Sequence, residues 1–189
     1  MTMNARLTRF VCMLALMAVH WPAMAAFPST ITVGDTQLQL NGQGIRHRVV
    51  FKVYEMALYT QRPVSSAQEL IGTPGPTRLS FVALRELPGT DLGLAFIKGM
   101  AANSPREAVQ RHVASTARLV EVFSGKQRLM PGDHFAMEYL PGKGTLFYIQ
   151  DVPQGAPVGD AEFFAMVLRI WMGPAPADQQ LKNALLGGK

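Results

Sequence analysis

The chain of 189 residues carries a single cysteine, Cys12, so no disulfide can close within it and thiol chemistry has no second sulfur to work with. Arg9-Phe10-Val11 ahead of that cysteine does not form a lipid-attachment box. Charge is also scarce, at 16% of residues with no Lys/Arg run, and the basic stripe that nucleic-acid binding requires is missing. His47, His112 and His134 fall in separate segments without carboxylate or cysteine neighbours at ligand spacing, which excludes a recognisable metal motif. No phosphate-cradling glycine loop and no nucleophile triad occurs. No cofactor, metal ligand or catalytic residue is therefore assigned.

Long hydrophobic runs are absent too. The longest, Phe10 to Val19, is about ten residues, against the roughly twenty a membrane-crossing helix needs. Arg6 and Arg9 precede it, no acidic residue accompanies it, and Ala23-Met24-Ala25 supplies a small-x-small site. This pattern predicts a secretory signal peptide over residues 1–25, cleaved near Ala25, with no integral membrane segment after its removal. Removing Arg6 and Arg9 leaves 16 basic against 13 acidic residues, so the formal charge falls from +5 to +3. Residues 26–189 are enough to bury a core without staples, and one domain is expected.

Strand patterns come first and helical ones later, which predicts an α+β layer arrangement. Ile31–Val33 and Thr36–Leu40 alternate around a Gly34-Asp35 turn, and Asn41-Gly42 is expected to turn again. Val49–Tyr59 reads as one long strand or two paired through a bend, and Thr77–Leu84 as another. Ser65–Ile71 suits a short helix and Thr73–Pro76 a loop. Leu92, Phe96 and Met100 are spaced as a helix face. Ser104-Pro105-Arg106-Glu107 carries the signs of a capped helix start, with Val109, Val113, Thr116, Val120 and Phe123 as its apolar stripe and Gly125 as its end. Asp133–Leu140 and Thr145–Gln150 form a hairpin, with Phe135, Met137 and Tyr139 on one side. Asp160 caps a helix bearing Phe163, Phe164, Val167, Leu168 and Trp171, all expected in the core, and a last short helix carries Leu181 and Leu185.

One charged position interrupts this apolar pattern informatively. Gly44-Ile45-Arg46 stands ahead of Val50-Phe51-Lys52-Val53-Tyr54, so Arg46 is either an anchor for an anionic ligand or an ordinary edge charge, paired with Glu55 or Asp35 or lying in water. Lys52 is a second basic group or a solvated lysine. Tyr54 is core or site.

The Gly44-Ile45-Arg46 block with its Phe-Lys-Val-Tyr strand, Leu79-Ser80-Phe81-Val82 leading into the Leu92–Ala102 helix, and Ile170-Trp171-Met172-Gly173 followed by Leu185-Leu186-Gly187 together resemble the chalcone isomerase-like family, in particular its exported bacterial branch. The resemblance implies an open-faced β-sandwich, a large antiparallel sheet covered by a layer of helices. With the absence of an anchor, it implies the periplasm. The family contains plant isomerases that close a flavonoid ring and non-catalytic relatives that bind fatty acids. By that resemblance Arg46 matches the arginine that faces the substrate phenolate, and Tyr54 stands where a threonine hydroxyl is expected. Leu92 stands at the catalytic tyrosine, Gly99 at a nearby asparagine, and Ile170 at a late serine or threonine. The resemblance thus implies a ligand site at Arg46, Tyr54, Leu92 and Ile170 that keeps an anion anchor but has lost the donors for ring closure. A lipid-like or aromatic small molecule is the implied guest. An intramolecular lyase and an envelope interaction protein with a filled cleft stay open as alternatives.

Overall fold

The computed structural model describes residues 27–72 and 74–188. The segment read as a signal peptide, Cys12 within it, and Thr73 of the expected loop lie outside these residues. Along the chain the elements are β1 (Thr30–Val33), β2 (Thr36–Arg48), β3 (Phe51–Thr60), α1 (Ala67–Gly72), β4 (Thr77–Ala83), β5 (Leu87–Pro88), α2 (Gly89–Asn103), α3 (Arg106–Arg111), α4 (Val113–Ser124), β6 (Arg128–Leu129), β7 (His134–Leu140), β8 (Gly144–Ile149), β9 (Val152–Pro153), α5 (Ala161–Met172) and α6 (Gln179–Leu185). Seven strands form one antiparallel sheet in the order β1-β2-β3-β4-β7-β8-β9, and β5 and β6 pair separately.

The period-two patterns decide which face each side chain takes. Tyr54, Met56, Leu58, Leu79, Phe81, Phe135 and Met137 turn toward the helices and join Phe96, Phe123, Phe163, Phe164 and Trp171 in one core. Phe81 stacks on Phe135 at 4.4 Å between centroids, and Trp171 approaches Phe81 at 5.2 Å and Phe96 at 5.8 Å. Among the described residues the other face holds a smaller cluster of Phe27, Val33, Leu38, Ala57 and Tyr59. The sheet is thus covered by helices on one side, the α+β open-faced arrangement expected from the element order.

Helix α5 is buried on almost every side because it lies between the sheet and the other helices. Its start follows the expectation, with the Asp160 carboxylate accepting the Phe163 N–H at 3.0 Å. The helix expected from Ser104 departs from it. Ser104 is extended (φ −122°, ψ 152°) and ends α2, its Oγ accepts no cap bond, and the stretch breaks at His112 into α3 and α4. The break shifts the phase of the buried face, so Leu119, Val122 and Phe123 pack inward while Val113 is 62% exposed. His112 takes the corner because its Nε2 meets the Glu162 carboxylate at 2.9 Å, fifty residues onward.

Asn41-Gly42 forms no turn, and β2 runs through it with a register shift between Leu40 and Gly42. Tertiary contacts override the local preference. Asn41 Nδ2 donates to the carbonyls of Leu185 (2.7 Å) and Val64 (2.9 Å), and its Oδ1 accepts the Val64 N–H at 2.7 Å. A Cβ on Gly42 would overlap the Ala184 and Leu185 carbonyl oxygens, so α6 rests directly on the strand backbone. Val49 and Val50 fall outside β3 and form the two-residue link of the β2–β3 hairpin, with Arg48 opposite Phe51. Gly42→Ala is expected to destabilise the fold by about 2–3 kcal/mol, because the obstructing atoms are backbone that cannot rotate away. A urea titration with an unchanged midpoint would contradict that packing.

Candidate functional site

The hairpin brings Arg46 on β2 directly opposite Tyr54 on β3. A second register shift, between Arg46 and His47, leaves Val53 unmatched, and Val53 and Tyr54 are both buried as a result. The Arg46 Cζ lies 5.5 Å from the Tyr54 ring centroid, a cation–π separation. Among the described residues Arg46 makes no ion pair. Its Nε is shielded and has no protein hydrogen-bond partner. Glu55 pairs with Ile45 in the ladder, and strand alternation turns it to the face away from Tyr54. The edge-charge alternative with Glu55 or Asp35 as partner therefore does not describe this arginine.

Tyr54 is fixed from behind. The Trp171 Nε1–H donates to its phenol oxygen at 2.8 Å inside the core, and its ring packs edge-on against Phe81 at 5.4 Å. Burial pushes the phenol above its ordinary range, opposed by the Arg46 charge and by the Trp171 bond. The group stays neutral at physiological pH and acts as a wall and a cation platform.

Between sheet and helices at this end lies a partly open cleft of about 610 Å³. Arg46 and Tyr54 form its floor, Leu94, Ala95, Phe96 and Gly99 of α2 one wall, and Ile170 with Ala175 and Ala177 the other. A Cβ placed on Gly99 would press on the Ile170 side chain at 2.9 Å, so the glycine makes room for the isoleucine and the two form one apolar surface. Of the four residues assigned from sequence, Arg46, Tyr54 and Ile170 converge here. Leu92 does not line this cleft. It is buried beside an adjoining recess of about 190 Å³ that also touches Arg46, because the helix begins at Gly89 and its 92 position turns inward toward the core.

Sequence reasoning missed Arg48, Asp91 and Lys98, which also line the cleft. Asp91, Ala95 and Lys98 are spaced four and three apart, and that helix-face spacing was the available signal. Arginines in two other hollows are paired with carboxylates. On the opposite sheet face, a groove of about 620 Å³ holds Arg78, whose Nη1 is 2.7 Å from Glu138. Near α4, a hollow of about 460 Å³ holds Arg118, paired with Glu121 at 3.0 Å. Among the described residues no three His, Cys, Asp or Glu side chains converge to hold a metal. His134 instead meets Asp151 at 2.8 Å.

A family described as chalcone isomerase-like matches residues 23–187. No curated protein sequence matches the chain. Among solved structures, the crystal structure of a fatty-acid binding protein from Arabidopsis thaliana is similar, with a TM-score of 0.62 at 14% identity over 85% of this chain and 90% of that one. At that identity the likeness is one of fold.

Tyr54→Phe is expected to cost about 1–3 kcal/mol in urea unfolding, because it strands the buried Trp171 N–H. The phenol's folded value lies above the ordinary 10.0, so its contribution is full below pH 10 and lost as pH rises through the folded value. Tyr59, pushed up to about 12 by burial, acts in the same direction. Stability should fall above pH 10, and less steeply in Tyr54→Phe. An equal slope would remove Tyr54 from that limb.

Proposed function

The chain belongs to the chalcone isomerase-like family, and on that premise we propose that it is a non-catalytic member that binds an amphipathic anion, such as a fatty acid, in the Arg46 cleft. The observation that carries this reading is a guanidinium without an ion pair among the described residues, in a cleft of about 610 Å³ where Leu94, Phe96 and Ile170 share the lining with the charged Arg48, Lys98 and Asp91. That volume lies within the roughly 300–1,000 Å³ usual for small-molecule sites. A guanidinium matches a carboxylate with two parallel N–H···O bonds, which a partly desolvated arginine needs. The Tyr54 ring steadies its position without neutralising it. Lys98 offers a second cation at the mouth, and Leu94, Phe96 and Ile170 provide the surface for an alkyl chain.

Ring closure would need donors aimed at a developing enolate. The positions that resemble those donors hold Leu92, Gly99 and Ile170, none with a side-chain donor, and the Tyr54 oxygen is engaged by Trp171. Binding accounts for what remains better than catalysis does. The fatty-acid binding protein of similar fold supports the same direction.

We also propose that the chain is of the exported bacterial branch and works in the periplasm, a reading supported by Arg6 and Arg9, the Phe10–Val19 run and Ala23-Met24-Ala25. Sequencing the amino terminus of the periplasmic protein should find Ala26 first; a chain that retains Met1 would refute export.

For the ligand, delipidated protein is titrated with palmitate and with its methyl ester. Palmitate should bind and the ester should not. Arg46→Gln should weaken palmitate by roughly tenfold to a hundredfold, the worth of a charge-assisted pair, while leaving the melting temperature close to wild type. Equal binding of acid and ester, or an unaffected Arg46→Gln, would defeat the proposal.

A further inference from the structure

The tip of the β2–β3 hairpin carries an unusual exposure. Val49, Val50 and Phe51 are 90%, 79% and 60% exposed, whereas the other large exposed apolar residues described, Leu94, Val113, Met130 and Val152, are scattered singly along the chain. Single exposed apolar residues need no explanation, but three in a row at the end of a hairpin do. The first of them is also conformationally disfavoured. Val49 has φ +58°, a region that a β-branched residue avoids and where the first position of such a tight link ordinarily takes glycine. A residue that suits the turn poorly and water poorly is accounted for by a third environment.

The tip is collared by positive charge. Arg48 and Lys52 flank it in sequence, Arg85 lies with its Cζ 5.3 Å from the Phe51 ring centroid, and among the described residues none of the three is in an ion pair. Among the described acids at this end, Asp91 shares a recess with Arg46, Arg48 and Arg85 without forming an ion pair. Glu86 is bound to Arg128 at 3.1 Å, and Asp178 accepts the His47 N–H at 2.8 Å. An apolar point within a ring of long cationic side chains matches the layered chemistry of an anionic bilayer surface, where the apolar groups enter the headgroup boundary and the cations meet phosphates.

We propose that the Val49-Val50-Phe51 tip docks this protein on anionic phospholipid surfaces. Arg48 belongs both to the collar and to the rim of the 610 Å³ cleft, so docking brings the mouth of the cleft to the bilayer. The inference stands on the tip alone and does not depend on what the cleft holds.

The test is co-sedimentation of the protein with vesicles of phosphatidylglycerol mixed with phosphatidylcholine, and with phosphatidylcholine alone. The protein should pellet with the first, be released by added salt, and stay in the supernatant with the second. The double substitution Val49→Gly, Val50→Ser suits the turn better, so it should keep or raise the melting temperature while weakening vesicle binding more than about tenfold. Arg48→Gln and Lys52→Gln should each weaken it about fivefold. Wild-type protein that ignores both vesicles, that pellets equally with both, or that binds no better than the turn variant overturns the proposal. Sedimentation equilibrium covers the remaining occupant: a wild-type dimer that the turn variant converts to monomer assigns the tip to a second copy of the chain and overturns it as well.

Discussion

The Trp171 N–H bound to the Tyr54 phenol oxygen is the contact on which the rest of the site depends. Both groups lie in an aromatic core, one on α5 and the other on β3. Each would be costly to bury alone, so the helix layer has one well-satisfied seating against the sheet. That seating fixes the Tyr54 ring, and the ring is what Arg46 lies over. A carboxylate in the same place would have used up the cation. An aromatic face holds a guanidinium without neutralising its charge.

The arginines divide accordingly. Arg78 with Glu138, Arg111 with Glu162 and Arg118 with Glu121 are paired, and the first two join elements distant in sequence. Arg46, Arg48, Lys52 and Arg85 gather unpaired at the end of the molecule where β2 turns into β3. A formal charge of only +5 over 189 residues therefore conceals a local concentration of positive potential beside apolar surface. One hairpin supplies both the floor of the cleft and its most exposed point.

The apolar part of the cleft wall includes a packed pair. Gly99 and Ile170 belong to different helices and touch, the glycine leaving the space that the isoleucine fills. Polar groups at both positions would face each other; here the contact is apolar. Leu92 turns into the core, and Leu92, Gly99 and Ile170 bring no side-chain hydrogen-bond donor to this end of the helix layer. Membership of the chalcone isomerase-like family accounts for the fold, and a fold constrains chemistry only through the side chains at its site.

Much of the architecture was legible in order and period. Alternation at Ile31–Leu40 and Phe135–Tyr139, the Asp160 cap and the apolar face of α5 are local, and the structure follows them. Non-local contacts decided the exceptions. Asn41-Gly42 became strand because α6 lands on it. The helix from Ser104 broke because His112 found Glu162. Arg46 was visible as a residue, but its freedom from any carboxylate depended on which face Glu55 took. The convergence of Ile170 and Lys98 on the same cleft required helices to be laid on the sheet. By itself the sequence determined the α+β layering, the placing of Arg46 ahead of the strand that carries Tyr54, and the scarcity of groups for metal or thiol chemistry, since these follow from spacing and composition. Only the tertiary structure decided that Arg46 stays unpaired over Tyr54, that Leu92 turns away and that Val49–Phe51 stands in solvent, because each depends on what distant segments bring, or fail to bring, within a few ångströms.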